Sequence, residues 1–258
     1  SIVGGDGNRV GFNAELGTTG TWPQTVVSTD VPPGYDFSVA EAGDCFLMLY
    51  QLTTAQYISG TSSVTSANVT WTKVATIPPL GGSNLIVTYE VWLGKVTGSV
   101  SGITFVFTAP ADGGTALRQV YAVQISGYLF RSDSPVPVWK LDGSVTAREI
   151  TVTDYTLIPL SAPVTAHAGE AVLWFIGGEL DNPVANDGYI FDWGGNLTTS
   201  TTASSDQNYY YALGIIYVLS APGGRLSPSY SDDNGVVPPF PLYCIPITFT
   251  DGSILLGP

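Results

Sequence analysis

The sequence predicts an all-β protein, and three features of its composition support this. Of the 258 residues, 69 are Val, Ile or Thr, whose branched side chains suit a pleated strand. The 30 Gly and 18 Pro residues suit the turns between short strands. Short apolar runs alternate with such turns, and no run spaces its apolar residues as a helix does. We therefore expect a two-sheet antiparallel β-sandwich of the jelly-roll type.

The apolar runs of the first half predict its strands. Cys45–Tyr50 is apolar at every position, which predicts a strand that is covered on both faces. The polar stretch from Thr53 to Asn68 is expected to be a loop. Four further runs predict strands at residues 69–75, 85–92, 103–107 and 119–125.

The second half follows a similar plan. Ala171–Ile176 is its strong apolar run, and the Thr- and Ser-rich stretch 198–205 is expected to be a loop. Two edge strands are expected between the halves, at 149–153 and 155–160. Four more strands are predicted at residues 189–193, 209–219, 226–230 and 242–249.

The two halves share an internal pattern. Ala42-Gly43-Asp44 precedes the first strong strand, and Ala168-Gly169-Glu170 precedes the second one 126 residues later. Trp71 and Trp193 follow in equivalent places. This pattern predicts halves at about 38–127 and 164–250 that pack face to face. We expect a single sandwich domain over residues 38–258, preceded by an N-terminal arm or edge segment at residues 1–37.

Charge and hydropathy exclude several partners. The formal net charge of −13 disfavours nucleic acid and anionic membranes, which both attract basic proteins. No apolar stretch is long enough to span a bilayer, and the first ten residues lack the apolar centre of a signal peptide. Two cysteines do not make a disulfide framework, and because Cys45 and Cys244 lie in apolar runs we expect two buried free thiols.

Five short motifs in the first half resemble a β-sandwich family of tailed bacteriophages. These motifs are Ala42-Gly43-Asp44-Cys45-Phe46-Leu47, Trp71-Thr72-Lys73-Val74-Ala75, Val91-Trp92-Leu93-Gly94-Lys95, Ile103-Thr104-Phe105-Val106-Phe107-Thr108 and Val123-Gln124-Ile125-Ser126-Gly127. The family occurs in minor tail and other virion surface proteins of phages of actinobacteria, and in some secreted bacterial proteins. The resemblance covers about residues 37–250. It implies a structural role in the virion and brings no catalytic residue with it.

The sequence contains no pattern that predicts a catalytic, cofactor or metal site. His167 is the only histidine, which excludes a multi-histidine metal site, and its place before Ala168-Gly169-Glu170 predicts a surface or hydrogen-bonded turn histidine. The acidic turns at 5–8 and 232–235 do not match a calcium loop. The carboxylates that a glycosidase would need are expected to be ordinary loop acids: Glu170, Glu179, Asp181, Asp187 and Asp192.

Aromatic residues suggest binding instead of catalysis. Trp22, Tyr209, Tyr210 and Tyr211 are candidates for contact with another subunit or with a glycan. Neighbouring residues of a strand face opposite ways, so at least one of the three consecutive tyrosines is expected on an outer face or at an interface. The expected function is therefore that of a bacteriophage minor tail or tail-tip protein, assembled in the bacterial cytoplasm and carried in the virion tail.

The expected partners are other tail proteins, further copies of this chain and host cell-wall glycan. A non-catalytic carbohydrate-binding module is the alternative function, followed by a glycoside hydrolase.

Overall fold

The computed structural model describes most of the two halves. The described residues are 1–3, 11–15, 20–21, 25–28, 36–54, 61–81, 86–108, 119–152, 158–159, 164–180, 189–192, 198–206, 209–218, 224–226, 229–232 and 240–253. They form antiparallel strands and no α-helix, with one short 3-10 helix at Phe37–Val39. The prediction of an all-β sandwich is confirmed, whereas jelly-roll connectivity stays a prediction.

Ten strands lie in the first 132 residues. They are β1 (Ile2–Val3), β2 (Gly11–Glu15), β3 (Gly20–Thr21), β4 (Thr25–Ser28), β5 (Cys45–Thr54), β6 (Thr61–Thr65), β7 (Val69–Gly81), β8 (Ile86–Val96), β9 (Thr104–Thr108) and β10 (Gln119–Ser132). Four of them, β1 to β4, fall in the predicted N-terminal segment, and β6 falls in the stretch predicted to be a loop.

Eleven strands follow. They are β11 (Lys140–Asp142), β12 (Arg148–Val152), β13 (Ile158–Pro159), β14 (Val164–Ala166), β15 (Ala171–Leu180), β16 (Tyr189–Asp192), β17 (Thr198–Asp206), β18 (Tyr209–Val218), β19 (Gly224–Leu226), β20 (Ser229–Asp232) and β21 (Phe240–Thr250). The predicted edge strand at 149–153 corresponds to β12, which pairs with β21.

The chain divides into two compact units. The N-terminal unit spans Asp6–Phe130, and the C-terminal unit combines Ser1–Gly5 with Arg131–Pro258. The first residues of the chain therefore belong to the C-terminal unit. There β1 pairs with the last two residues of β10, Arg131 and Ser132.

The N-terminal unit is a sandwich of two sheets. The larger has the order β10-β5-β8-β7, with β2 and β3 on the other side of β10, and the smaller has the order β4-β9-β6. The ring of Tyr50 on β5 packs against Phe105 and Phe107 on β9, with centroids 4.8 and 6.0 Å apart. This aromatic contact joins the two sheets at the centre of the unit's core.

β5 is buried along both of its faces, as its unbroken apolar run predicts. Every side chain of Cys45–Tyr50 is at most 1% exposed. A similar close fit holds the neighbouring strands together, because Gly94 of β8 lies directly opposite Trp71 of β7. A Cβ at Gly94 would come within 2.7 Å of the indole ring, so only glycine fits there.

The C-terminal unit is built around one large sheet. Its order is β11-β21-β15-β18-β17, and β12 also pairs with β21. Two smaller sheets have the orders β13-β20-β16 and β14-β19. As in the first half, the strong run Ala171–Phe175 on β15 is fully buried.

The predicted repeat appears in the strand order of the two large sheets. The order β10-β5-β8-β7 in the first unit corresponds to β21-β15-β18-β17 in the second. Two details of the prediction were wrong. The counterpart of β7 is β17, formed by the Thr- and Ser-rich stretch expected to be a loop, because its backbone pairs with β18 along its whole length. Tyr189–Asp192 instead forms β16 in a small sheet, so the run that leads to Trp193 is not the counterpart of β7, the strand that contains Trp71.

Candidate functional site

Each strong strand begins with the same turn. In the first, Ala40-Glu41-Ala42-Gly43-Asp44, the Asp44 amide donates to the Glu41 carbonyl over 3.0 Å. Gly43 has a φ of +98°, a value that the third position of this kind of β-turn reserves for glycine. The buried Asp44 carboxylate accepts a hydrogen bond from the Glu41 amide at 2.9 Å. Asp44 thus closes the turn with two hydrogen bonds to Glu41, one through its amide and one through its carboxylate.

The second turn, Ala166-His167-Ala168-Gly169-Glu170, repeats these bonds. The Glu170 amide donates to the His167 carbonyl over 3.2 Å, and Gly169 has a φ of +87°. The Glu170 Oε2 atom accepts a hydrogen bond from the His167 amide at 2.7 Å. Glu170 is only 1% exposed, so its carboxylate is held inside the protein by the turn itself.

A third acidic residue reaches the second turn from two strands away. Asp142 ends β11 and lies opposite Thr248 of β21. On the other side of β21, Thr248 lies opposite Val172 of β15. Since neighbouring strands are about 4.8 Å apart, this register brings Asp142 to the end of the sheet where β15 begins. The sheet therefore positions Asp142 beside the turn that holds Glu170.

The three side chains form a compact cluster. The Nδ1 atom of His167 is 3.3 Å from the Glu170 Oε2 atom and 3.5 Å from the Asp142 Oδ2 atom. One potential ligand atom from each residue lies within 4.8 Å of the other two. His167 and Asp142 are exposed, whereas Glu170 is buried. A nitrogen and two carboxylates in this arrangement could hold a metal ion.

The environment of Glu170 disfavours its ionised form. Burial is the main cause that raises the pKa of this carboxyl, and the adjacent Asp142 carboxyl raises it further. The hydrogen bond from the His167 amide and the charge of a protonated His167 act in the opposite direction. The net result is a raised pKa, so the buried carboxyl holds its proton more tightly than an exposed glutamate does.

A second polar cluster lies in the N-terminal unit around Glu90 of β8. The indole Nε1 of Trp92 donates to Glu90 Oε2 at 3.1 Å, and Ser62 donates to the same oxygen. Lys73 Nζ lies 3.2 Å from Oε1 and 5.6 Å above the Trp92 ring. Burial, followed by the charge of Glu90, raises the pKa of the Tyr50 hydroxyl well above its usual value. Both oxygens of Glu90 already have donors, so this cluster leaves neither carboxylate oxygen for a ligand.

An open groove lies at one end of the same unit. It has a volume of about 370 Å³ and is lined mainly by small polar residues, Thr65, Ser66, Ser101 and Thr104. Trp71 donates from its indole nitrogen to Ser66 at 3.2 Å. The Trp71 ring stacks on Phe46 and lies against Gly94, so it packs on the core of the unit and is partly buried there.

The aromatic residues predicted to make contacts are only partly located. Trp22 lies outside the described residues. Tyr209, Tyr210 and Tyr211 begin β18, where Tyr210 and Tyr211 have strand partners on both sides. Their role in binding stays a prediction.

The other residues singled out by sequence fall into two groups. Cys45 and Cys244 are buried free thiols, as predicted, and burial raises the pKa of both. Glu179 and Asp192 lie in β15 and β16, and Asp232 is the last residue of β20. The rest of the acidic turn, residues 233–235, lies outside the described residues. Asp181, Asp187 and the acidic turn at 5–8 lie outside the described residues.

His167 is the exposed turn histidine that the sequence predicts. Sequence reasoning missed its neighbour Asp142, which is 25 residues away along the chain. The only signal available was an isolated histidine three residues before a strand-entry acid. The contact with Asp142 depends on the pairing of β11 with β21, which no local pattern reveals.

Comparison with known protein families, curated proteins and solved structures found no match to this chain. No helix among the described residues has the length and hydropathy needed to cross a membrane. The function is therefore argued from the residues alone.

Proposed function

We propose that this chain is a structural protein of a bacteriophage virion, a minor tail or tail-tip component that acts by binding its neighbours. The proposal rests on the resemblance of the strand motifs to tail proteins and on one observation in the C-terminal unit. Val136 and Val138 are 77% and 56% exposed, the two highest values among the large hydrophobic residues described. Apolar side chains that stay in solvent together are typical of contact surfaces.

The segment that carries these valines is fixed before any partner binds. Pro135 and Pro137 restrict its backbone, and the Val138 amide donates to the Asp251 carbonyl over 2.7 Å. The Val138 side chain also packs close to Gly252. A rigid apolar segment loses little conformational entropy when it binds. We propose that Ser134–Val138 contacts a second copy of the chain in a tail ring.

The mass of the purified full chain in solution tests this contact. Light scattering and native mass spectrometry should show a trimer or larger ring. The double variant V136S/V138S should shift the mass to a monomer, because the contact loses its apolar area. Val74→Ser is the matched control, since Val74 is an exposed valine of the N-terminal unit, 36% exposed, and should leave the mass unchanged. A wild-type monomer would contradict the proposed contact.

The place of the protein in a virion needs a separate experiment. Antibodies against the chain should label tails in electron micrographs of phage particles from the source bacterium. Labelling of cell walls without particles, together with saccharide binding by the purified chain, would instead support the alternative carbohydrate-binding module. Release of reducing sugar, abolished by replacing one carboxylate, would support the glycoside hydrolase.

A further inference from the structure

We propose that Asp142, His167 and Glu170 form a binding site for one divalent transition-metal ion of the zinc class. This site goes beyond the proposed virion role and does not depend on it. It lies entirely in the C-terminal unit, where the end of β11 meets the turn before β15. The proposal rests on the spacing of the ligand atoms, on a buried carboxylate oxygen without a donor, and on the type of ligands present.

The spacing of the ligand atoms suits a tetrahedral ion. Zinc bonds of about 2.0–2.1 Å to nitrogen and oxygen separate neighbouring ligands by about 3.3 Å. The observed distances from His167 Nδ1 are 3.3 Å to Glu170 Oε2 and 3.5 Å to Asp142 Oδ2. Side-chain rotations would bring these three ligand atoms within bonding distance of one ion, and a water molecule would supply the fourth ligand.

The second observation is the state of the Glu170 carboxylate. Its Oε1 atom is buried and has no hydrogen-bond donor among the residues that the structure describes. Its carboxyl group also lies beside that of Asp142, and ligand atoms of the two residues are within 4.8 Å of each other. Two carboxylates in contact need either a shared proton or a cation between them. A divalent ion between them would balance the charge of both groups, and a Glu170 carboxylate that binds the ion through both oxygens would also give Oε1 a partner.

The turn also supplies the outer contact that metal-binding carboxylates commonly have. The His167 amide donates to Glu170 Oε2 and so fixes the orientation of the carboxylate before the ion binds. His167 and Asp142 are exposed, which gives an ion a direct path from solvent. A bound ion would tie the end of β11 to the entry of β15.

The imidazole determines the class of ion. Calcium and magnesium prefer oxygen ligands throughout, whereas zinc and the neighbouring first-row metals accept nitrogen together with carboxylate. Because the chain has one histidine, a single imidazole reports on the site without interference from any other.

The direct test is NMR of the full chain labelled with ¹⁵N-histidine, titrated with zinc chloride. We expect the imidazole nitrogen signals of His167 to shift and to saturate at one equivalent of zinc. Unchanged signals at one equivalent would overturn the proposal, and this result needs no variant. Calorimetry should give the same stoichiometry, and calcium chloride should give weaker binding.

Two exposed ligands provide variants that should keep the fold. His167→Gln and Asp142→Asn should each weaken zinc binding by at least about 10-fold. Even the loss of a residue that only supports a metal ligand commonly lowers metal affinity by about 10- to 100-fold. Glu41→Gln, at the equivalent place in the first turn, should bind zinc as the wild type does. Zinc affinity unchanged in both ligand variants, or calcium binding that exceeds zinc binding and survives His167→Gln, would overturn the proposal.

Discussion

The turns before β5 and β15 have the same backbone but different side-chain surroundings. In both, glycine with a positive φ occupies the same place, and a buried acid accepts the amide of the residue three positions earlier. The first turn has the exposed Glu41 at that earlier position, and the second has His167. The second also has the Asp142 carboxyl beside its acid.

This difference shows how one structural device can acquire chemistry. The acid's structural task requires only one carboxylate oxygen, because a single amide needs an acceptor. In the second turn the longer Glu170 leaves its other oxygen without a donor among the described residues. A histidine and a second acid near that group turn a structural closure into a candidate ligand set.

The largest effect should come from adding a Cβ to the second glycine. Gly169→Ala meets a positive φ and a Cβ only 2.9 Å from Ser1 Cβ, so we expect a loss of about 2–4 kcal/mol in unfolding free energy. Gly43→Ala has the strain but open space, and should lose about 1–2 kcal/mol. Urea unfolding of both variants measures the difference. Equal losses of unfolding free energy in the two variants would show that the contact with Ser1 adds nothing to the cost.

Removing the first acid should have the next largest effect. Asp44→Ala leaves the Glu41 amide without its acceptor and should cost about 1–3 kcal/mol of unfolding free energy. The control is Glu41→Ala, which removes an exposed side chain but keeps the amide and should stay within about 0.5 kcal/mol. If the two variants unfold at the same urea concentration, the acid does not stabilise the turn.

Replacing the second acid, Glu170, should have the opposite effect and stabilise the protein at neutral pH. Because the pKa of Glu170 is raised, the folded protein binds its proton more tightly than the unfolded chain does. The contribution of Glu170 to stability is therefore present at acidic pH and is lost as pH rises through the folded pKa. With a chelator present, Glu170→Gln should be on the order of 0.5–1 kcal/mol more stable than wild type at pH 7, because an amide can donate to Asp142.

Thermal unfolding of Glu170→Gln from pH 4 to pH 8 checks this sign. The advantage of the variant should grow as pH rises and should vanish at the acidic end. A variant that is less stable than wild type at pH 7 without metal would mean that the charged carboxylate is favoured in the fold.

The smallest effect should come from the exposed residues of the two turns. Glu41→Gln and His167→Gln keep the amides that donate to Asp44 and Glu170, so each should change unfolding free energy by less than about 0.5 kcal/mol in chelator. Chemical denaturation measures both. A loss above 1 kcal/mol in either variant would show that its side chain, and not only its amide, supports the turn.

Much of the two large sheets could be predicted from sequence because strands buried on both faces leave a clear apolar pattern. Cys45–Tyr50 and Ala171–Phe175 are unbroken apolar runs, and both are buried as expected. Strand β17 was missed because a run of Thr, Ser and Ala has no apolar face, and its backbone pairing with β18 forms it instead. Strand β6 at Thr61–Thr65 was missed for a related reason, because Val64 is the one large apolar residue among its Thr and Ser residues.

The candidate site was less accessible to sequence analysis. The pair of turns was visible because the motifs Ala42-Gly43-Asp44 and Ala168-Gly169-Glu170 repeat, and the exposed position of His167 followed from its place before the second motif. The cluster itself requires Asp142, whose approach depends on two strand pairings with β21. Such long-range registers are set by tertiary packing and leave no local pattern.

Amide hydrogen exchange of Glu41 and His167, measured by NMR on the full chain, tests the central claim most directly. Both residues are exposed at the surface, yet each amide should exchange slowly because a buried carboxylate accepts it. The account predicts comparable protection at both amides and loss of protection at Glu41 in Asp44→Ala. Exchange of either wild-type amide at the rate of an unstructured peptide would contradict it.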